Sequence, residues 1–129
     1  MFTVEQIQQA HQKVKSGADF PKYIQDLKQL GVKSYKTFVN DSHTEYLGTN
    51  DYQANSAPKY EKLMISDMVN RDVLVVQLKA HQQGKTDYFN FCKDCANNGI
   101  NYWMVSIDEM TCTYYDKKGN NILTENIPT

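Results

Sequence analysis

An echo 68 residues apart constrains this chain more than any other feature of its sequence. Asp19 matches Asp87, Asp26 matches Asp94, Gly31 matches Gly99 and Tyr46 matches Tyr114 at that one offset. Between these identities the residue type agrees: Phe20 with Tyr88, Tyr23 with Phe91, Val32 with Ile100, Tyr35 with Trp103, Val39 with Ile107. Apolar side chains recurring in register mark a repeated supersecondary unit that buries its hydrophobic face against its neighbour. The pattern predicts two like-built units, about residues 3–66 and about 70–128, within a single domain over 1–129.

Each unit reads as helix-helix-strand-strand-strand. Thr3-Val4-Glu5-Gln6 has the form of a capping box, and Val4, Ile7, Ala10 and Val14 follow helical spacing up to Ser16-Gly17. Asp19 and Pro21 suit the start of a second helix, with Phe20, Tyr23, Ile24, Leu27 and Leu30 inward and Gly31 as the left-handed stop. Strands are then predicted over 32–39 and 43–47, around the turn Asn40-Asp41-Ser42. Residues 48–58 read as a loop and 60–65 as a third strand. In the second unit Asn70 caps a helix from Arg71 to about Gln83, although Val73-Leu74-Val75-Val76 is β-prone in isolation. Thr86 or Asp87 starts the next helix, Gly99 ends it, and strands follow over 100–107, 111–116 and 121–127. The expected fold is α+β, with four helices packed on antiparallel strands. The pattern leaves open whether the two sets of three strands join into one sheet.

Composition excludes several classes of function. With 14 Lys+Arg against 15 Asp+Glu the net charge is -1, without the basic excess of a nucleic-acid binder. No apolar run approaches the ~18 residues of a membrane span. The polar, acidic start does not read as a signal peptide. Three cysteines make a poor disulfide framework, and the expected location is cytoplasmic.

Three groups of residues carry possible chemistry. His43 with Asp41 and Glu45 is the candidate catalytic set: strand alternation puts His43 and Glu45 on one face, and a carboxylate orients an imidazole for general base work. Its counterpart, Glu109 to Thr113, has Thr111 in place of the histidine, and such residues also suit any exposed turn. Cys92-Lys93-Asp94-Cys95 is a C-x-x-C candidate for redox or zinc chemistry. The repeat sets Cys92 against Ile24 and Cys95 against Leu27, which predicts two buried thiols acting as core filler. Only Cys112, His81, His11 and His43 are left as further ligands, none at zinc spacing. His11 and His81 both sit in Ala-His-Gln, but 70 residues apart, which reads as coincidence beside an offset of 68. Nine tyrosines, five phenylalanines and one tryptophan either cover the rim of a small core or form a binding patch. No Gly-rich phosphate loop, G-x-S-x-G or H-E-x-x-H is present, and no motif calls for a cofactor.

The segments Ser16 to Tyr23, Lys79 to Tyr88 and Met110 to Asp116 resemble the YbcV-like proteins, small bacterial and prophage proteins sometimes labelled phage envelope proteins. That resemblance runs the full chain and implies a family of unknown function, so it assigns no catalytic residue. The expected role is a non-enzymatic accessory protein that binds another protein or self-associates. The alternative is a small-molecule-binding protein or minor enzyme using a cleft between the units.

Overall fold

The computed structural model describes residues 2–14 and 19–127. Among them the chain forms α1 (Val4–His11), α2 (Phe20–Leu30), β1 (Ser34–Phe38), β2 (Thr44–Leu47), β3 (Gln53–Asn55), α3 (Arg71–Gln82), α4 (Tyr88–Asn97), β4 (Ile100–Ser106), β5 (Thr111–Asp116) and β6 (Asn121–Asn126). Local signals set most of these boundaries. Thr3 and Gln6 close a full capping box on α1, and the carboxylate of Asp87 accepts from the Asn90 amide at the start of α4. Gly31 and Gly99 follow α2 and α4 at φ 98° and 83°, a backbone region that costs residues with a Cβ about 1–2 kcal/mol. The β-prone run in α3 stays helical: Asn70 accepts from the Val73 amide, and Leu74 and Leu78 are buried one turn apart.

The six strands form one antiparallel sheet in the order β3-β2-β1-β4-β5-β6. β1 pairs with β4 at its centre, Lys36 opposite Met104. Tyr35 pairs with Tyr46 and Lys36 with Glu45, while Trp103 pairs with Tyr114 and Met104 with Thr113; each pair maps onto the other at an offset of 68. The registers of the two halves are thus related by a local two-fold at Lys36–Met104. They diverge at the outermost strands, where a bulge at Tyr114/Tyr115 shifts β6 by one residue relative to β3.

Two boundaries differ from the sequence expectation. α1 ends at His11, although Val14 still packs against the core; Ser16 and Gly17 lie outside the described residues. Residues 60–65 are not a strand. Asn50 and Asp51 adopt positive φ and reverse the chain tightly, so Gln53–Asn55 take the free edge of β2 first. The following segment becomes a strap across the tip of the first hairpin: the amides of Lys59 and Leu63 donate to the carbonyls of Asp41 and Asn40, and the Tyr60 hydroxyl to that of Val39.

The helices cover one face of the sheet. Matching residues from the two halves meet there at equal depth: Ile24, Leu27, Cys92 and Cys95 are all 0% exposed. Fully burying each Ile or Leu contributes about 1.5–3 kcal/mol. Among the described residues the other face carries no helix.

Candidate functional site on the open face of the sheet

The first hairpin aims its polar residues in two directions. Ser42 turns the chain at φ 62°, its amide donating to the Phe38 carbonyl at 2.8 Å. Met110, 68 residues on, has φ 54° in the second hairpin, so this conformation belongs to the turn and is no sign of functional strain. Ser42 is fully buried, its Oγ 2.5 Å from the Tyr88 hydroxyl of α4. His43 stacks instead on Phe38 of the open face, rings parallel within 6° and 4.5 Å apart. Serine and imidazole therefore do not act on each other.

The structure brings Asp41, His43 and Glu45 together. Asp41 Oδ1 accepts from the His43 backbone amide at 2.9 Å and from its Nδ1–H at 2.6 Å. Burial opposes ionisation of Asp41, yet the bonds from His43, its charge and Lys62 together hold the carboxyl below its usual range. Nε2 of His43 stands 3.9 Å from Glu45 Oε2. An imidazole fixed in this way offers Nε2 to a ligand as acceptor or base.

What continues from His43 is aromatic. Phe38 lies 5.6 Å from Tyr102, and Tyr102 stacks on Tyr115 at 4.8 Å, with Lys36 Nζ 4.9 Å from the Tyr102 ring centre. Phe38–Tyr102 and Tyr102–Tyr115 are direct cross-strand partners and His43, just before β2, stacks on Phe38, so the four make one row from the hairpin turn across β1, β4 and β5. All four side chains are half-buried. Beside the row, Lys36, Glu45, Leu47 and Met104 line a shallow depression of about 90 Å³ at the local two-fold. That is well below the roughly 300–1,000 Å³ of a site that engulfs a small ligand. Sequence reasoning missed Phe38 and the row, because only the β1–β4 register aligns residues 64 positions apart; the one usable signal was the period-two spacing within each strand.

Cys92 and Cys95 are fully buried on α4 among Phe91 and Ala96, as their match to Ile24 and Leu27 predicts. Burial pushes both thiols up, although hydroxyls of Tyr60 and Tyr88 reach Cys92. The Cys112 thiol, on β5, is pushed up to about 12 by burial. Among the described residues no three His, Cys, Asp or Glu side chains gather to hold a metal ion. His11 and His81 each pack on an aromatic ring of the next helix, His11 edge-on against Tyr23 at 5.2 Å and His81 stacked on Phe91 at 4.4 Å. No described helix is long and apolar enough to cross a membrane.

No curated protein matches the chain. A family described as a protein of unknown function, DUF1398, matches residues 8–126. That match runs from the second half of α1 to the end of β6, including both hairpins and the open face between them, and the chain belongs to this family.

Proposed function

We propose that this protein acts by binding rather than catalysis, presenting the open face of its sheet to a protein partner. The observation that carries this reading is the row His43, Phe38, Tyr102 and Tyr115, flanked by Leu47 at 40% exposure and by Met104. Rigid aromatic groups with polar neighbours are what protein interfaces use as anchors. We further read the chain as one domain built from two fused copies of one unit; the shared registers at an offset of 68 and the paired turns at Ser42 and Met110 support that reading. The YbcV-like resemblance is the finer assignment within the family, and three free cysteines support a reducing, cytoplasmic setting.

A photo-crosslinker at Thr113, on the open face, tests the function against the same group at Lys28 on α2. Discrete protein adducts in cells from Thr113 alone, lost with Tyr102→Ala, are the expected result. Equal labelling from both positions, or none from Thr113, would sink the reading. The alternative keeps one specific support, the fixed imidazole of His43. Stabilisation by a metabolite in a thermal-shift screen, abolished by His43→Ala, would favour it.

A further inference from the structure

The two edges of the sheet are built differently. β3 has three residues, Gln-Ala-Asn, and the described exposed residues of α1 are all polar: Glu5, Gln6, Gln8, Gln9 and His11. β6 has six residues with neither Lys nor Pro among them, the usual guards of an exposed edge. Ile127 donates to the Met110 carbonyl, so Leu123 and Glu125 face β5 while Thr124 and Asn126 turn their amides and carbonyls outward; Ile122 is the extra residue of the bulge. α3 runs along this same edge, tied by Arg71 Nε to the Ile122 carbonyl at 3.1 Å and by Gln82 to Glu125 at 3.3 Å. On the solvent side of α3, among the exposed Arg71, Asp72, Lys79 and Gln82, Val73 is 40% and Val76 68% exposed, preceded by Val69 at 39%. The outward backbone groups of Thr124 and Asn126 and the two exposed valines of α3 thus lie side by side at this edge.

We propose that a second copy of this chain covers both, through antiparallel pairing of β6 with β6 about a two-fold at Thr124. This register sets Glu125 opposite Leu123 and avoids opposing the two Glu125 carboxylates, which pairing centred one residue later would do. The same two-fold runs the two α3 helices antiparallel. Val76 then meets its own counterpart, and Asp72, four residues before it, lies opposite Lys79 of the second copy, three residues after it. Strand and helix therefore call for one partner in one orientation, and an isologous two-fold interface is the commonest way to supply it. The result is a continuous twelve-stranded sheet that leaves the aromatic face of each copy free.

Light scattering and sedimentation over a wide concentration range test this on the full chain. The expected mass is twice the 14.9 kDa of one chain. Thr124→Pro removes an outward amide without touching the bonds to β5, and Val76→Lys sets like charges across the axis; each weakens the dimer at least ten-fold. Val76 lies outside the core, so Val76→Lys keeps the test decisive where Thr124→Pro disturbs folding. Gln9→Lys, on the exposed side of α1, leaves the mass unchanged. A wild-type monomer at every concentration overturns the proposal, as does a dimer that survives both edge variants or is broken by Gln9→Lys.

Discussion

Tyr35 and Trp103 occupy matching places in the two halves, and both are buried under the helices. Ser34 and Tyr102 also match at the same offset, one residue away on the open face, yet one is a small hydroxyl and the other a ring stacked on Tyr115. Leu47 and Tyr115 diverge in the same way. The covered face keeps its partners because close packing penalises any change of volume there. The open face is released from that constraint, and so is the β6 edge beside α3. Where positions 68 residues apart differ on a bare surface, packing gives no account of the difference, which is why the functional proposals sit there.

The largest expected effect tests whether matching core positions do matching work. Leu27→Ala opens a cavity in a fully buried site and should cost about 3 kcal/mol in chemical denaturation. Cys95→Ala, at the matching place, removes far less volume and should cost about 1 kcal/mol. Equal losses would break the comparison, because the thiol would then be doing more than filling space.

The two helix-stop glycines sharpen it. Gly31 and Gly99 share positive φ, but a Cβ on Gly31 meets nothing within 4 Å, whereas one on Gly99 would stand 2.7 Å from the Met68 carbonyl. Gly31→Ala should lose about 1 kcal/mol of stability and Gly99→Ala a further ~1–2 kcal/mol, read from unfolding midpoints. If both lose the same amount, the linker at Met68 and Val69 moves aside more easily than its close approach implies.

Asp41 separates the hairpins by pH. Its carboxyl is held below the usual range when folded, so the stability it adds is present above the unfolded pKa near ~3.9 and lost as pH falls through the lower folded value. Asp41→Asn should lower stability at neutral pH by about 1 kcal/mol and flatten its acid decline below about pH 4, in melts taken from neutral to acid. Glu109 holds the matching place and is exposed, so Glu109→Gln should change stability at neutral pH by less than about 0.5 kcal/mol. The smallest effect belongs to the open face. Tyr102→Ala loses two ring contacts and should cost up to about 1 kcal/mol, while Ser34→Ala should be near neutral.

The sequence made much of the fold legible. Thr3, Asn70 and Asp87 announced helix starts, Gly31 and Gly99 their ends, and the 68-residue echo anticipated two thiols in the core. Asp41, His43 and Glu45 were named from adjacency in one hairpin. The third strand was not legible, because Tyr60 and the apolar run Leu63-Met64-Ile65 outweighed the short segment Gln53–Asn55. That segment pairs by virtue of the tight reversal at Asn50 and Asp51, not of its own β-propensity. Phe38, Tyr102 and Tyr115 were equally hidden as a group, since their meeting needs a register between β1 and β4.

By itself, then, the sequence determined the order of elements, their caps and the side chains that turn inward, since capping and hydrophobic period act within a few residues of the chain. Only the tertiary structure decided that both sets of strands share one sheet, that Lys36 faces Met104 at its centre, and which face the helices leave open. Those outcomes follow from hydrogen bonding between strands far apart in the chain, which leaves no local trace.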